Sequence, residues 1–308
     1  MPVDEYFTAM FRGMKEAAPP GATDEERQVL VESFLQDYRG NALEWDATGV
    51  AVEDTVIEGP HGPIPLRLYR PETTVIGRVL WAHGGGFCHG DLDMFEAHGV
   101  SIELARRAGV AVASVDYRLA DGGTRYPVPI DDVHAAWTWW CSQQPEAGPV
   151  AIGGASAGAA LALAATLRAR DNGDRLPDAV LLAYPFAHYP NPSLSPAMNA
   201  EMEAVPFRFD PESVEDMVRN YVGRISDVPS DALPGAARLD GLPPTRILIC
   251  EYDDLRASAE LLERQLRELG VPVESYVALG MTHGHLNHNP KIEEVAASLD
   301  FLAKGVHG

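Results

Sequence analysis

Apolar runs of strand length alternate with runs of helical spacing, and this alternation constrains the fold of this chain most. The strand-like segments of the second half are PVAIGG, AVLLAYP, TRILICE and VESYVAL. Helical patterns occupy SAGAALALAATLRAR, SAELLERQLREL and KIEEVAASLDFLAKG. Near-continuous apolar strands that alternate with helices are typical of parallel sheets buried on both faces. The sequence therefore predicts an α/β fold with a mostly parallel central sheet flanked by helices.

The first half of the chain starts with a different pattern. Apolar residues from Val3 to Met14 recur at helical spacing and predict a first helix. Thr23 and Glu26 form a capping box that predicts the start of a second helix, and Gly40 predicts its end. Strands are then predicted over VAVEDTVIEG, IPLRLYRP, RVLWAHGGG and GVAVASVDYR, followed by a helix over about 130–141.

A long stretch rich in Pro, Ser and Met interrupts the alternation between AVLLAYP and TRILICE. It contains a helix start, with Asp210 as N-cap and Pro211 at the first helical position. Long insertions of this kind are usually functional. We expect this insertion and the two N-terminal helices to form a cap over the C-terminal edge of the sheet, where open α/β sheets place their sites. The predicted division is 1–45 for the N-terminal cap helices, 46–186 for the first part of the core, 187–237 for the cap insertion and 238–308 for the second part of the core.

Ser156 lies in the segment GGASAG, between a predicted strand and a predicted helix, in a G-x-S-x-G pattern. A serine on a sharp strand-to-helix turn has a strained backbone, and small neighbours allow the turn to close. The N-terminus of the following helix supplies free N–H groups and a positive dipole. The pattern predicts a nucleophilic serine, and a purely structural turn of small residues is the alternative.

The glycine-rich segment HGGGF, residues 83–87, directly follows an apolar strand. Glycine lets the backbone approach a ligand closely, and neighbouring N–H groups can point at one oxygen. Together with the N–H of Ala157, those of Gly84 and Gly85 are predicted to form an oxyanion hole. Such a hole stabilises the negative oxygen of a tetrahedral intermediate.

A nucleophilic serine requires a base and a carboxylate that orients the base. In α/β-hydrolases these follow the serine in the order acid, then histidine, each after a strand. Asp253 and Asp254 follow TRILICE, and His283 follows VESYVAL. This order predicts His283 as the general base, with either aspartate as its partner.

Three histidines lie within MTHGHLNH: His283, His285 and His288. The spacing is close to that of a zinc-ligand run, so a metal site is an alternative to a serine hydrolase. Only Asp300 and His307 remain downstream as further ligands, and a run this close to the end of the sequence is unusual for a metallo-β-lactamase-like fold. We therefore predict no metal, and surface or pocket-rim positions for His285 and His288.

Composition restricts the partners and the compartment. The formal charge of −21 argues against nucleic acid or an anionic membrane as a partner. No apolar run is long enough to span a bilayer, and the N-terminal residues are acidic where a signal peptide is basic. We expect a cytoplasmic protein without stable membrane insertion. Cys88, Cys141 and Cys250 are too few and too far apart for a disulfide framework.

The motifs HGGGF, DYRLA, YPVPIDD, GGASAG, DDLR and MTHGH extend over about two-thirds of the chain. In combination they resemble the motifs of bacterial hormone-sensitive-lipase-type carboxylesterases, an α/β-hydrolase family. The resemblance implies Ser156 as nucleophile, His283 as base and Asp253, rather than Asp254, as its partner. It also implies a helical cap built from the N-terminal region and a mid-chain insertion.

The chain departs from that family at several positions. Ala155 and Ala159 stand where the family has GDSAGG at the serine, and DDLRASA replaces DPLRDEG. Asp121-Gly122 replaces the usual Pro-Glu after YRLA, and His285 replaces a common aromatic residue. No catalytic group is lost, but these changes bear on the shape of the acyl pocket.

The function predicted is that of a serine carboxylesterase without a metal or an organic cofactor, acting on small-molecule esters. The resemblance alone implies short- to medium-chain acyl groups. The candidate pocket residues are Phe87, Cys88, Met94, Phe95, Met198, Met202, Phe207 and Phe209. The alternatives are an amidase, lactonase or deacetylase with the same triad, and a small-molecule receptor on this fold, against which the presence of His283 argues. The oligomeric state is open, with a homodimer as one option.

Overall fold

A computed structural model describes residues 2–17, 21–143, 148–206 and 208–307. The strands are β1 (Val50–Gly59), β2 (Gly62–Pro71), β3 (Arg78–Ala82), β4 (Ala111–Val115), β5 (Val150–Ala155), β6 (Ala179–Ala183), β7 (Thr245–Tyr252) and β8 (Val273–Thr282). The helices are α1 (Glu5–Ala17), α2 (Asp24–Arg39), α3 (Val100–Ala108), α4 (Val128–Ser142), α5 (Ala157–Asn172), α6 (Pro196–Glu201), α7 (Pro211–Val222), α8 (Arg256–Glu268) and α9 (Glu293–Lys304). A π-helical turn, Phe95–Gly99, leads into α3.

The eight strands form one sheet in the order β1-β2-β4-β3-β5-β6-β7-β8. β1 and β2 form an antiparallel hairpin, and β2 pairs antiparallel with β4. All pairs from β4 through β3 to β8 are parallel. The predicted α/β fold with a mostly parallel sheet is therefore confirmed.

Helices cover both faces of the sheet, because the central strands are apolar on both sides. Every residue of β3, β4, β5 and β6 is buried. One core cluster packs α4, α5 and α8 against the sheet, and the other packs α1, α3 and α9 against the opposite face. α3 is an element that the sequence patterns did not predict.

The local signals for the flanking helices agree with the structure. Thr23 and Glu26 form the capping box at the start of α2, and Gly40 ends that helix with a positive φ. Asp210 caps α7 by accepting from the backbone of Glu212 and Ser213. No helix among the described residues is both long and apolar enough to cross a bilayer.

The insertion contacts the core at the glycine-rich segment that follows β3. In α7, the Met217 side chain lies against Gly86, where a Cβ atom would be 3.2 Å from its sulfur. Asn220 donates to the carbonyl of Ala120 at 2.6 Å. α7 therefore lies over the loop for which an oxyanion hole was predicted.

Candidate active site

The nucleophile predicted from the sequence lies on a strained turn. Ser156 is the first residue after β5 and the N-cap of α5, with φ 52° and ψ −116°. Few non-glycine residues adopt this conformation, and such strain is typical of catalytic positions. The backbone N–H of Ser156 donates to the carbonyl of Ala183 at 2.9 Å, which holds the turn against β6.

Gly158 explains why the residues around Ser156 are small. A Cβ atom at this position would lie 2.2 Å from the carbonyl oxygen of Ala82 and 2.3 Å from that of His83. Both acceptors are backbone atoms at the end of β3, so they cannot move aside as a flexible side chain would. The start of α5 thus packs backbone to backbone against the strand that precedes the glycine loop.

The side chains of Ser156, His283 and Asp253 form one hydrogen-bonded line. Each is the first residue after its strand, β5, β8 and β7 respectively. Ser156 Oγ lies 2.9 Å from His283 Nε2, and His283 Nδ1 lies 2.7 Å from Asp253 Oδ2. Asp253 Oδ1 accepts the backbone N–H of Leu255 at 2.8 Å. The arrangement suits a hydroxyl nucleophile, a base that removes its proton and a carboxylate that orients the base.

The electrostatics of His283 suit a base near neutral pH. Burial by itself lowers the pKa of this imidazole, but the adjacent Asp253 carboxylate outweighs burial, and the pKa is raised above its ordinary value. Asp253 is only 2% exposed, so water screens this interaction little. A raised pKa makes His283 a stronger proton acceptor when its side chain is neutral.

Asp254, the other candidate acid, binds residues of the insertion and not His283. Its carboxylate accepts from the guanidinium of Arg208, with Nη2 at 2.7 Å and Nε at 2.9 Å, and from the backbone N–H of Phe209 at 2.8 Å. These bonds attach the insertion to the loop after β7. Of the two aspartates, the structure therefore brings Asp253 to His283 and turns Asp254 toward the insertion.

The glycine loop differs from the prediction at its first glycine. The N–H of Gly84 donates to Glu96 Oε2 at 2.8 Å. An N–H directed at a buried carboxylate is not available to a substrate, so this bond does not fit the predicted oxyanion role of Gly84. Among the described residues, the N–H groups of Gly85 and Gly86 donate to no protein acceptor. Ala157 opens α5, so its N–H has no partner within the helix.

Glu96 is a buried acid that the sequence analysis missed. Its side chain also accepts from the hydroxyl of Tyr184 and from Asn287 Nδ2. Burial raises the pKa of this carboxyl, and the hydrogen bond from Tyr184 opposes the rise. The ring of Tyr184 packs against His283 with centroids 4.9 Å apart. Glu96 thus joins the glycine loop to residues beside the base.

His285 and His288 have other partners than His283. His285 is fully buried, with Nε2 2.9 Å from Ser298 Oγ and Nδ1 3.3 Å from Cys250 Sγ. His288 is 3% exposed, and its Nδ1 lies 3.0 Å from the hydroxyl of Tyr6.

The predicted surface or rim position is therefore wrong for His285. Gly284 adopts a left-handed conformation, and the 3₁₀ turn that follows it directs the ring of His285 into the core. His288 is buried against α1 but does line the cavity described next. The described residues contain no group of three or more His, Cys, Asp or Glu side chains placed to hold a metal ion.

A cavity of about 190 Å³ lies next to His283 and Asp253. Its lining comes from three parts of the chain. α1 and α2 contribute Met10, Phe11, Leu35 and Arg39, and the insertion contributes Met202, Val205 and Phe209. The last residues of β7 and β8, with the loops that follow them, contribute the rest. The ring of Phe209 packs on His283 with centroids 4.8 Å apart. The cavity is where a substrate could reach the base.

The predicted pocket residues do not all lie at this cavity. Of the predicted set, Met202 and Phe209 line it. Met94 and Phe95 line a separate surface depression between α2 and the loop before α3. Phe207 lies outside the described residues.

Phe87, Cys88 and Met198 do not line the cavity either. Phe87 is fully buried and stacks on Tyr221 with centroids 3.9 Å apart, so its place is in the core beneath α7. Cys88 is partly buried, with its sulfur 3.9 Å from the carbonyl oxygen of Gly85. Met198 is partly exposed on α6.

Comparisons with known proteins agree with this geometry. A family model described as alpha/beta hydrolase fold matches residues 79–287, more than half of the chain. The esterase LipI of Mycobacterium tuberculosis is 36% identical over 77% of this chain and 75% of its own length. The acetyl esterase of Salmonella paratyphi B is 27% identical over 93% of this chain and 88% of its own length.

Solved structures give the same result over nearly the whole chain. An esterase of Pyrobaculum calidifontis superposes with a TM-score of 0.78 at 28% identity, covering 99% of this chain and 98% of that one. Relatives with esterase or carboxylic ester hydrolase names thus share both the sequence and the fold of this chain. The chain belongs to the α/β-hydrolase fold family and, within it, to the serine ester hydrolases of the hormone-sensitive-lipase type.

Proposed function

We propose that this protein is a carboxylesterase that transfers the acyl group of a short-chain ester first to Ser156 and then to water. The observation that carries the proposal is the line from Ser156 Oγ through His283 to Asp253, with distances of 2.9 and 2.7 Å. Short acyl groups are supported by the relative named acetyl esterase and by the small volume of the cavity beside the base.

In the first step, Ser156 Oγ attacks the ester carbonyl carbon while His283 Nε2 takes the hydroxyl proton. Asp253 accepts the hydrogen bond from Nδ1 and stabilises the imidazolium that forms. When the tetrahedral intermediate collapses, the C–O bond to the alcohol breaks and His283 gives its proton to the departing oxygen. Water then attacks the acyl-enzyme by the same route and releases the acid and free Ser156.

The oxyanion donors in this proposal are the N–H groups of Gly85, Gly86 and Ala157. Gly86 replaces Gly84, whose N–H is held by Glu96. Removing one such donor in comparable enzymes costs about 3–4 kcal/mol of transition-state stabilisation. Three backbone donors need no reorganisation when the charge develops, because the loop and the helix already hold them.

We also propose that 1–45 and 187–237 act as the cap that bounds the substrate. Both segments line the cavity next to His283. The pair Arg208–Asp254 holds the insertion to the loop after β7, and Tyr6–His288 holds α1 to the loop after β8. Substrate size would then be set mainly by these segments.

Hydrolysis of p-nitrophenyl esters from acetate to octanoate tests the proposal. The wild type should turn over the short members, Ser156→Ala should lose nearly all activity, and Ser230→Ala, at an exposed serine, should match the wild type. Activity that survives Ser156→Ala and disappears with a chelator would contradict a serine mechanism. If neither the wild type nor any variant hydrolyses an ester, the carboxylesterase proposal fails, and amides, lactones and N-acetyl compounds become the substrates to test.

A further inference from the structure

Arg39, the last residue of α2, lines the cavity beside His283. It also borders the separate depression that contains Met94 and Phe95. The guanidinium therefore stands between that depression and the cavity that holds the base. Sequence patterns offer a simpler role, because a basic residue in the last turn of a helix favours the helix dipole.

The guanidinium of Arg39 makes no hydrogen bond and no ion pair among the described residues. Its Nε atom is buried and makes no hydrogen bond, and the described residues place no carboxylate within ion-pair distance of it. Arg39 is partly buried, and charges that are largely removed from water are normally paired, since burial without a partner carries a desolvation cost. Burial lowers the pKa of Arg39, and the side chain nevertheless keeps its charge because arginine is not deprotonated in proteins.

The other charged groups that line this cavity are already matched. Asp254 is paired with Arg208, and Asp253 with His283. His288 is neutral, because burial lowers its pKa to about 2. Glu96 acts on Arg39 through its charge but lies beyond ion-pair distance and is held by Gly84, Tyr184 and Asn287. Among the described residues that line this cavity, Arg39 is thus the one permanently charged side chain without an ion-pair partner.

We propose that Arg39 binds a carboxylate carried by the ester substrate, so that the preferred substrates are short esters with one free carboxyl group. This deepens, and rests on, the proposed esterase function. A guanidinium offers two parallel N–H donors that match the two oxygens of a carboxylate. The formal charge of −21 does not oppose this locally, since at physiological salt a charge acts over only about 8 Å.

The carboxylate could be on either side of the scissile bond, and paired substrates distinguish the two. Monoethyl succinate carries it on the acyl part, and ethyl 4-methylpentanoate is its neutral isostere. The substrate 4-acetoxybutanoate carries it on the alcohol part, with 4-methylpentyl acetate as the neutral isostere. For wild type, kcat/KM of at least one acid should exceed that of its isostere about 10-fold or more.

The test compares wild type, Arg39→Met, Arg39→Lys and Arg27→Met on all four esters. Arg39→Met should lower kcat/KM for the preferred acid about 10- to 100-fold, mainly through KM, because the contact is remote from the reacting carbon. Its activity on the neutral isostere should stay within a few-fold of wild type. Arg39→Lys should retain part of the preference, and Arg27→Met, at an exposed position of the same helix, should retain all of it.

The outcomes separate this inference from the proposed function. If neutral esters are hydrolysed but the ratio of acid to isostere is the same in wild type and Arg39→Met, the anion site is refuted and the esterase stands. If wild type hydrolyses none of the four esters and no p-nitrophenyl ester, the proposed function itself fails. An equal loss on acid and neutral esters in Arg39→Met, with a lowered Tm, would assign Arg39 a structural role instead and would also refute the inference.

Discussion

The N–H of Gly84 donates to the buried carboxylate of Glu96 across 2.8 Å, so the first glycine of the loop is held by a side chain from the π-helical turn before α3. This bond fixes the peptide between His83 and Gly84, one peptide before the N–H of Gly85. The N–H groups of Gly85 and Gly86 are thereby left facing no protein acceptor among the described residues. We propose that Glu96 is a positioning residue, which acts on the reaction through the loop.

Glu96→Ala should lower kcat for p-nitrophenyl acetate about 10- to 100-fold and leave KM nearly unchanged. The unpaired Gly84 N–H would let the loop rearrange, and oxyanion stabilisation is used mainly in the transition state. Glu96→Gln keeps an acceptor for Gly84 and should restore most of kcat. Tyr184→Phe removes a different bond of Glu96 but leaves the acceptor of the Gly84 N–H in place, so kcat should fall less than in Glu96→Ala. A parallel rise of KM in Glu96→Ala would point to a general loosening of the site.

Asp253→Asn and Asp254→Asn should have different consequences although the residues are neighbours. Asp253→Asn should reduce kcat about 10⁴-fold, as expected when a histidine loses the carboxylate that sets its tautomer. Asp254→Asn weakens the pair with Arg208 and should act mainly on KM and on thermal stability. Steady-state kinetics and a thermal melt on both variants check this. Equal losses of kcat in the two variants would contradict the assignment of Asp253.

Activity should decrease on the acid side with an inflection above pH 6.5, the ordinary pKa of histidine. His283 must be neutral to accept the serine proton, and the Asp253 carboxylate raises its pKa despite burial. Protonation therefore removes the base at a higher pH than for a histidine in water. The measurement is kcat/KM for an uncharged ester between pH 5 and 9. A profile that stays flat from pH 8 down to about 5 would exclude His283 as the base.

Folding stability should also fall with acid, for a separate reason. Burial lowers the pKa of His285 to about 3, so the unfolded chain binds a proton below pH 6.5 while the native protein does not. Proton uptake by the unfolded state alone favours unfolding, and this one residue accounts for about 1.4 kcal/mol between pH 7.5 and 5.5. Urea unfolding of wild type and His285→Phe at both pH values measures the difference. The phenylalanine variant should lose less stability on acidification, and an equal loss in the two proteins would refute the argument.

The hydrogen-bonded line of Ser156, His283 and Asp253 was largely predictable from the sequence, because each of these residues directly follows a strand. The alternation of strands and helices places those strands in one parallel sheet, and the carboxyl ends of parallel strands meet at one edge. Order and strands therefore sufficed for Ser156 and His283, and for the acid they indicated only the loop after β7. The choice between Asp253 and Asp254 came from family resemblance, since both occupy the same loop.

The order of residues and strands did not predict the roles or the burial of Glu96, Arg39 and His285. A single acid within MFEAH or a basic residue at a helix end has the pattern of an exposed side chain, and nothing local signals its burial. His285 follows the left-handed Gly284, and the turn made there determines whether the His285 side chain lies at the surface or in the core. Phe87 lies in the core and not at the predicted pocket because its stacking partner, Tyr221, comes from the insertion, far along the chain.

The contact of Gly158 with the carbonyls of Ala82 and His83 has a consequence for how this enzyme can diversify. The helix that begins beside Ser156 packs against the end of the strand that leads into the glycine loop, with no side chain between them that mutation could lengthen or trim. We therefore expect the distance between Ser156 Oγ and the N–H groups of the glycine loop to change little under single substitutions that leave the fold intact. Laboratory evolution toward new esters should accumulate its changes in residues 1–45 and 187–237, while the turn that carries Ser156 stays unchanged.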